Sequence, residues 1–264
     1  MLIEQALGNG MKVLVGRPSG SGPHPSVVLI HERYGIVQHQ LDLAERLASE
    51  GFVACLPDLF HRFEGDRDAL AKGDARCEMK DNDSLADLDA TLAFLRDQNY
   101  VIDDQIGIVG VCQSGREPLL YAGHRDDVAA VAVLYGAGSS DWQSVPDRPE
   151  PLGSFIPNIR CPVLGLFGEA DHVVSVEDVT RLRGALEDAR KSYRIRVYLG
   201  APHGWLNDTM PGRFRARATE EAWAELTGFL RSVFNGQWHH GNVSWDYRCE
   251  TSPGYDFSKN VRLA

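Results

Sequence analysis

Short apolar runs alternate with amphipathic segments along most of the chain. Seven runs rich in Val, Ile, Leu and Ala are predicted to be β-strands, at residues 12–15, 27–31, 53–56, 106–109, 130–135, 163–167 and 195–199. Several of these runs are continuously apolar rather than alternating in polarity. Continuous runs are typical of parallel strands that are covered on both faces of a sheet.

Amphipathic helical patterns separate these strands. Four leucines between residues 85 and 95 recur at helical spacing, and another apolar stripe covers 176–186. Ser175 and Asp178 at the start of that stripe predict a capping box. A last apolar face covers 222–233. The alternation predicts an α/β protein with a doubly wound, mostly parallel sheet, whose functional residues are expected in loops at the carboxyl ends of the strands.

Three segments interrupt the alternation. Residues 60–83 are polar and charged. Residues 136–160 contain four prolines, which predicts a long loop, with a lid over the site and an ordinary surface loop as the two alternatives. Residues 236–264 contain five large aromatic side chains without helical periodicity. We therefore expect a main domain over residues 1–235 and a C-terminal extension over 236–264. Exposed aromatic side chains are unfavourable, so the extension should pack on the domain or on a partner subunit.

Composition narrows the possible partners and compartments. The 264-residue chain carries a net charge of −10, which argues against nucleic acid or an anionic membrane as its main partner. No apolar run approaches a membrane span, and the first ten residues lack a signal-peptide pattern, so we expect a cytoplasmic protein. The five cysteines are widely spaced and form no CxxC pair. We expect neither disulfides nor a metal site, and no cofactor.

The sequence GVCQSG at residues 110–115 directly follows the predicted strand at 106–109. A strand that ends in this way and turns into a helix is typical of a nucleophile elbow, here with Cys112 in place of the more usual serine. The glycines leave room for the strand and the helix, and a helix N-terminus favours a thiolate. Taken alone, the hexapeptide could equally be a buried cysteine before a glycine turn.

A thiol nucleophile needs a base, and the base needs an orienting acid. Asp171 follows the predicted strand at 163–167, and His203 follows the one at 195–199. Alone, Asp171 could cap a turn or a helix, and His203 could be an ordinary loop histidine. The neighbouring His172 is an alternative functional group, but its position next to Asp171 is expected to point it elsewhere. The order nucleophile, acid, histidine at strand ends predicts a Cys–His–Asp triad.

The loop HERYG at residues 31–35 follows another predicted strand. In α/β-hydrolases this loop provides one N–H of the oxyanion hole, and the residue after the nucleophile provides the other. The two donors here would be the main-chain N–H groups of Arg33 and Gln113. Losing one such donor typically costs about 3 kcal/mol of transition-state stabilisation. Tyr34 on the same loop is a candidate for substrate binding.

The chain resembles the dienelactone hydrolase (carboxymethylenebutenolidase) family over about residues 10–235. The resemblance rests on four motifs: LIHE at 29–32, GVCQSGR at 110–116, GEAD at 168–171 and HGWLND at 203–208. It implies an α/β-hydrolase fold with Cys112, Asp171 and His203 as the triad. Glu32 corresponds to the family's glutamate, which helps to form the thiolate when substrate binds. On its own, Glu32 could be a surface carboxylate.

The chain also departs from the family pattern. The family carries an arginine shortly after the catalytic histidine to hold the substrate carboxylate, but here none follows before Arg213. The family's second substrate-binding arginine has only Arg62 and Arg76 as candidates. Trp205 is a further candidate for substrate binding. Position 114 is serine where the family has glycine. The resemblance therefore implies the fold and the reaction class more firmly than the substrate.

We expect a hydrolase that cleaves a small ester or lactone through a thioester acyl-enzyme, in the class of carboxylic ester hydrolases. Thiolates are good leaving groups, so activated esters and lactones are favoured over amides. A broader carboxylesterase or thioesterase remains an alternative, as does a catalytically silent binding protein on the same fold. The expected partner is a small-molecule substrate, without nucleic acid or membrane, and the expected state is a monomer or a homodimer.

Overall fold

A nine-stranded sheet forms the centre of the computed structural model, which describes residues 1–238 and 242–263. The strands are β1 (Leu2–Ala6), β2 (Lys12–Gly16), β3 (His24–Ile30), β4 (Val53–Pro57), β5 (Val101–Val111), β6 (Ala130–Leu134), β7 (Val163–Gly168), β8 (Tyr193–Tyr198) and β9 (Trp245–Cys249). Their order is β1-β2-β4-β3-β5-β6-β7-β8-β9. The seven strands from β3 to β9 run parallel, and β1 and β2 pair antiparallel at one edge.

Helices cover both faces of this sheet. They are α1 (Gln38–Ser49), α2 (Arg67–Lys72), α3 (Asp81–Arg96), α4 (Glu117–His124), α5 (Leu152–Phe155), α6 (Val176–Asp188) and α7 (Ala216–Phe234). Successive residues of the central strand β5 face opposite cores, since Ile108 belongs to the core that includes residues of α3, α4 and α6, and Val109 to the core that includes residues of α1 and α7. The predicted mostly parallel sheet with flanking helices is confirmed, and the architecture is that of an α/β-hydrolase.

Local sequence signals account for several element boundaries. Ser175 Oγ accepts a hydrogen bond from the Asp178 N–H at 2.9 Å, and the Asp178 carboxylate accepts one from the Ser175 N–H at 3.0 Å. The predicted capping box at the start of α6 is therefore confirmed. All seven predicted strands occur, with boundaries that differ by a few residues. The largest difference is in β5, which begins at Val101.

Two strands that the sequence pattern did not predict lie at the edges of the sheet. In β1 every residue is exposed or only partly buried, so no apolar run marks it. In β9 the pairing with β8 is reinforced by ion pairs, since Asp246 contacts both Arg194 and Arg196. Edge strands bury little side-chain surface, which is why hydrophobic periodicity does not reveal them.

The segment at 136–160 contains short helical turns rather than only loop, including α5 and 3₁₀ turns at Ser139–Trp142 and Ile156–Asn158. Residues 250–263 follow β9 and run back along the sheet edge toward the loop after β7. No helix in residues 1–238 or 242–263 has the length and apolar character needed to cross a membrane. In the same residues, no group of three His, Cys, Asp or Glu side chains is arranged to hold a metal ion.

Candidate active site

Cys112 lies at the sharp junction between β5 and the 3₁₀ helix Cys112–Arg116, with a left-handed φ of +59°. Left-handed backbone is strained for a residue with a side chain and persists where surrounding structure enforces it. Here the close neighbours are glycines: a Cβ at Gly110 would lie 2.2 Å from the carbonyl oxygen of Ser114. The Ser114 hydroxyl instead accepts a hydrogen bond from the Val111 N–H at 2.9 Å, which accommodates the serine at this position.

Three side chains from the carboxyl ends of β5, β7 and β8 meet at this junction. Cys112 Sγ lies 3.1 Å from His203 Nε2, and His203 Nδ1 lies 2.9 Å from an oxygen of the Asp171 carboxylate. The other Asp171 oxygen accepts hydrogen bonds from the N–H groups of Val173 and Val174 at 2.7 and 3.0 Å. The acid is therefore fixed by its own loop and faces the imidazole. The arrangement can move a proton from the thiol to the imidazole.

Opposing effects act on the imidazole of His203. Burial lowers the pKa of His203, but the adjacent Cys112 and Asp171 outweigh burial and raise this pKa well above its ordinary value. A neighbouring negative charge favours the protonated ring, and burial strengthens that attraction. The surroundings therefore favour an imidazolium at the position where it would face the sulfur.

Glu32 is a buried carboxylate, not a surface one. It is 2% exposed and accepts a hydrogen bond from the Tyr135 hydroxyl at 3.0 Å. Tyr135 directly follows β6 with a φ of +40°, and its ring packs edge-on against His203 with centroids 5.4 Å apart. Burial, and then the charge of Glu32, raise the pKa of Tyr135 well above its ordinary value. Tyr135 therefore stays protonated and acts as the donor to Glu32.

A cavity of about 330 Å³ opens above Cys112, and Glu32, Cys112 and His203 line it. Arg33 and Gln113 line it too. Gln113 belongs to the first turn of a helix, where main-chain N–H groups have no partner within the helix. Its side chain is fixed elsewhere, because Nε2 donates to the carbonyl oxygen of Cys77 at 2.7 Å.

Two of the four candidates for substrate binding line the cavity and two do not. Tyr34 and Arg76 are part of the wall. Arg62 lies outside it, because its guanidinium pairs with the buried carboxylate of Asp87 on α3, with Nη2 2.9 Å from Oδ1. A buried carboxylate requires such a partner. Trp205 is fully buried beneath the site, where it packs against two tyrosine rings.

The wall contains five arginines, of which the sequence reasoning assigned a role only to Arg33 and Arg76. Its arginines are Arg33, Arg76, Arg148, Arg213 and Arg262. Arg148 pairs with Asp141 at 2.6 Å and Arg76 pairs with Glu78. His172 lines the cavity as well, with its ring centroid 5.7 Å from that of His203, so the expectation that it points elsewhere was wrong. No short motif surrounds Arg213 or Arg262, and only the fold brings them here.

Comparisons with known proteins show which families and folds this chain is similar to. The family model of the dienelactone hydrolase family matches residues 11–234. A relative from Escherichia coli strain K12, named "Putative carboxymethylenebutenolidase", is 31% identical over 231 residues, which cover 85% of this chain and 83% of the relative. A relative of the same name from Methylorubrum extorquens is 30% identical over 220 residues, which cover 81% of this chain and 74% of the relative.

Solved structures extend the comparison to the fold. A structure titled as a putative dienelactone hydrolase from Klebsiella pneumoniae superposes with a TM-score of 0.78 at 27% identity, covering 88% of this chain and 98% of that one. A dienelactone hydrolase-like phosphotriesterase from metagenomic libraries shares the fold, with a TM-score of 0.71 at 19% identity, covering 88% of this chain and 98% of that one. With a matching family model over residues 11–234 and relatives that are 30% and 31% identical, this chain belongs to the dienelactone hydrolase family of hydrolases.

Proposed function

We propose that the protein hydrolyses a small ester or lactone, with Cys112 as the nucleophile and His203 and Asp171 completing a triad. The observation that most supports this is the 3.1 Å contact between Cys112 Sγ and His203 Nε2 at the floor of the cavity. The second imidazole nitrogen faces the buried Asp171 carboxylate, so the ring is held in the orientation that a base requires.

In the first half of the reaction, His203 accepts the thiol proton and the Cys112 thiolate attacks the carbonyl carbon. The carbonyl oxygen becomes an oxyanion, and the main-chain N–H groups of Arg33 and Gln113 are the donors that we assign to it. The tetrahedral intermediate then collapses. The bond from carbon to the leaving oxygen breaks, His203 returns its proton to that oxygen, and a thioester remains on Cys112.

In the second half, His203 removes a proton from water and the resulting hydroxide attacks the thioester. The carbon–sulfur bond breaks, the acid is released and Cys112 receives the proton again. Because a thiolate leaves more readily than an alkoxide, the first intermediate goes forward only when the leaving oxygen is stabilised. Enol esters, aryl esters and lactones that release an enolate meet this requirement.

We assign to Glu32 a supporting role in ionising the thiol. Its carboxylate is buried in the cavity wall and held by Tyr135. A negative charge in that position strengthens the attraction for the protonated His203 that forms when Cys112 loses its proton. We also propose a reducing compartment such as the cytoplasm, because the mechanism needs a free thiol.

The test is hydrolysis of p-nitrophenyl acetate by the Cys112→Ala variant, with Cys249→Ala as the matched control. Cys249 lies on β9, outside the cavity. We expect Cys112→Ala to lower kcat by at least about 10³-fold and Cys249→Ala to retain activity. Peptide mass spectrometry of wild-type protein quenched during turnover should find the acetyl group on Cys112. Wild-type turnover by Cys112→Ala, or an acetyl group only on another residue, would exclude the proposed nucleophile.

A further inference from the structure

Residues 250–263, called here the C-terminal strap, are tied to the loop that carries Asp171. Asn260 Nδ2 donates to the main-chain carbonyl oxygens of both Glu169 and Asp171, each at 2.9 Å. The main-chain N–H of Ser252 donates to the Glu169 carboxylate at 2.7 Å. These contacts fix the strap against the end of β7, next to the proposed triad.

The end of the strap reaches the cavity. Arg262 lines the cavity, and the carbonyl oxygen of Leu263 accepts a hydrogen bond from Arg213 Nε at 2.7 Å. Arg213 lies on the segment between β8 and α7, so two distant parts of the chain place guanidinium groups in the same wall. Burial and then the neighbouring His203 lower the pKa of His172 in this wall, and the guanidinium groups of Arg213 and Arg262 also lower it, as expected for cations close to the ring.

The positive charge of these two arginines is not balanced within the part of the chain that the structure describes. Arg213 is only 7% exposed, whereas Arg262 is exposed, and neither guanidinium forms an ion pair with a carboxylate of residues 1–238 and 242–263. Arg76 and Arg148 in the same wall do have acidic partners. Burying a guanidinium without a counterion is unfavourable, whereas an anionic ligand would form charge-assisted hydrogen bonds with it.

We propose that the C-terminal strap completes the substrate site, and that Arg262 acts with Arg213 to bind an anionic group of the substrate. Arg262 is then a specificity-determining residue supplied from outside the matched region 11–234. The chain as a whole carries a net charge of −10, so a local cationic wall is what allows an anionic substrate to approach. This inference rests on the proposed ester hydrolysis at Cys112.

Two p-nitrophenyl esters that differ only in acyl charge test the proposal. They are the neutral acetate and the monoglutarate, which carries a free carboxylate. For Arg262→Gln we expect the ratio of kcat/KM for glutarate to kcat/KM for acetate to fall at least about tenfold, the usual consequence of losing one charge-assisted hydrogen bond. Arg262→Lys should restore part of the ratio, since it retains the charge without the planar fork.

The matched control is Lys259→Gln on the same strap. Lys259 is exposed, pairs with Asp256 and lies outside the cavity. We expect this variant to keep the wild-type ratio. Arg262→Gln with an unchanged ratio would overturn the proposal, and so would an equal fall of the ratio in Lys259→Gln, because that fall would reflect the net charge of the strap rather than a contact at residue 262.

A binding measurement separates this proposal from the proposed function. Calorimetric titration of Cys112→Ala protein with sodium glutarate, and in a second arm with inorganic phosphate, needs no turnover. We expect glutarate to bind, and its Kd to rise at least about tenfold when Arg262→Gln is added. Tighter binding of phosphate than of glutarate would support an anion site at Arg262 but would show that its ligand is not a carboxylate. Absence of binding of either anion would overturn the proposal even if esters are hydrolysed.

Discussion

The proposed reaction centre and the C-terminal strap differ in how the chain encodes them. Cys112 directly follows β5, and Asp171 and His203 lie in the loops after β7 and β8, all inside the region that the family model matches. Arg262 lies beyond that region and reaches the same cavity through contacts of the strap with the Asp171 loop. Side chains at strand ends are placed by the sheet itself, whereas those on the strap are placed by a few hydrogen bonds.

This difference separates chemistry from selectivity. The strand ends hold the proposed nucleophile, base and acid at fixed relative positions, which the hydrolysis of any ester at this site requires. The strap forms part of the wall against which the rest of a substrate would lie. Changes at the strand ends should therefore lower the hydrolysis of every ester by one factor, and changes on the strap should alter the preference between esters.

Asp171→Asn gives the largest effect that we expect. The amide can still accept the main-chain hydrogen bonds of its loop, but it would hold His203 in the wrong tautomer, so kcat should fall by about 10⁴-fold. Steady-state kinetics on the acetate and monoglutarate esters should show the same factor for both. Asp188→Asn, at the exposed end of α6, is the control. A change in the ratio of the two esters would mean that the centre and the strap are not separable.

Glu117→Gln should affect stability without changing ester preference. Burial raises the pKa of Glu117 from its ordinary 4.5 to about 7. Between these values the folded state holds a proton that the unfolded chain releases, so stability falls as pH rises from 4.5 to 7. At pH 8 the free energy of unfolding of the glutamine variant should be about 3 kcal/mol higher than that of wild type, and at pH 4 the two should be equal. Urea denaturation at the two pH values measures this, and equal effects at both would contradict it.

The sequence allowed prediction of the strand-end residues but not of the strap. Glycine constraints and an apolar strand identify Cys112 locally, and strand order brings Asp171 and His203 to it. Strand β9 is half exposed and is held by ion pairs with β8, which leave no periodic signal. No sequence motif marks Arg262, because its position in the cavity wall depends on the path of the chain after β9.

Two of the substrate-binding candidates line the cavity and two do not, and their packing partners explain part of this difference. Arg62 was a candidate for the family's second substrate-binding arginine and Trp205 lies in the motif at 203–208, yet residue type alone does not tell which partner a side chain will find. A buried carboxylate on α3 takes the guanidinium of Arg62, and an aromatic cluster beneath the site takes Trp205. Tyr34 and Arg76 lie on loops that face the cavity, although Arg76 also pairs with Glu78.

Tyr135→Phe is expected to have an intermediate effect at the centre. Without the hydroxyl, Glu32 loses its buried donor, and kcat/KM for both esters should fall about tenfold. The apparent pKa in the pH profile of kcat/KM should shift as well, because the charge of Glu32 acts on the sulfur and imidazole pair. Tyr193→Phe is a matched control, since its hydroxyl also bonds a glutamate, Glu187, outside the cavity. An unshifted profile would assign Tyr135 a structural role alone.

Asn260→Leu has the smallest expected effect and tests how the strap is held. The variant removes the donor that bridges the carbonyl oxygens of Glu169 and Asp171. Loss of these hydrogen bonds should cost about 1 kcal/mol of the free energy that holds the strap in place. The ratio of kcat/KM for glutarate to kcat/KM for acetate should therefore fall about fivefold, and Tm should drop by about 2–4 °C. Calorimetry and the two-ester assay measure both quantities, with Lys259→Gln as control. If the ratio stays at the wild-type value while Arg262→Gln lowers it, the bond from Arg213 to Leu263 is what holds the strap in the cavity wall.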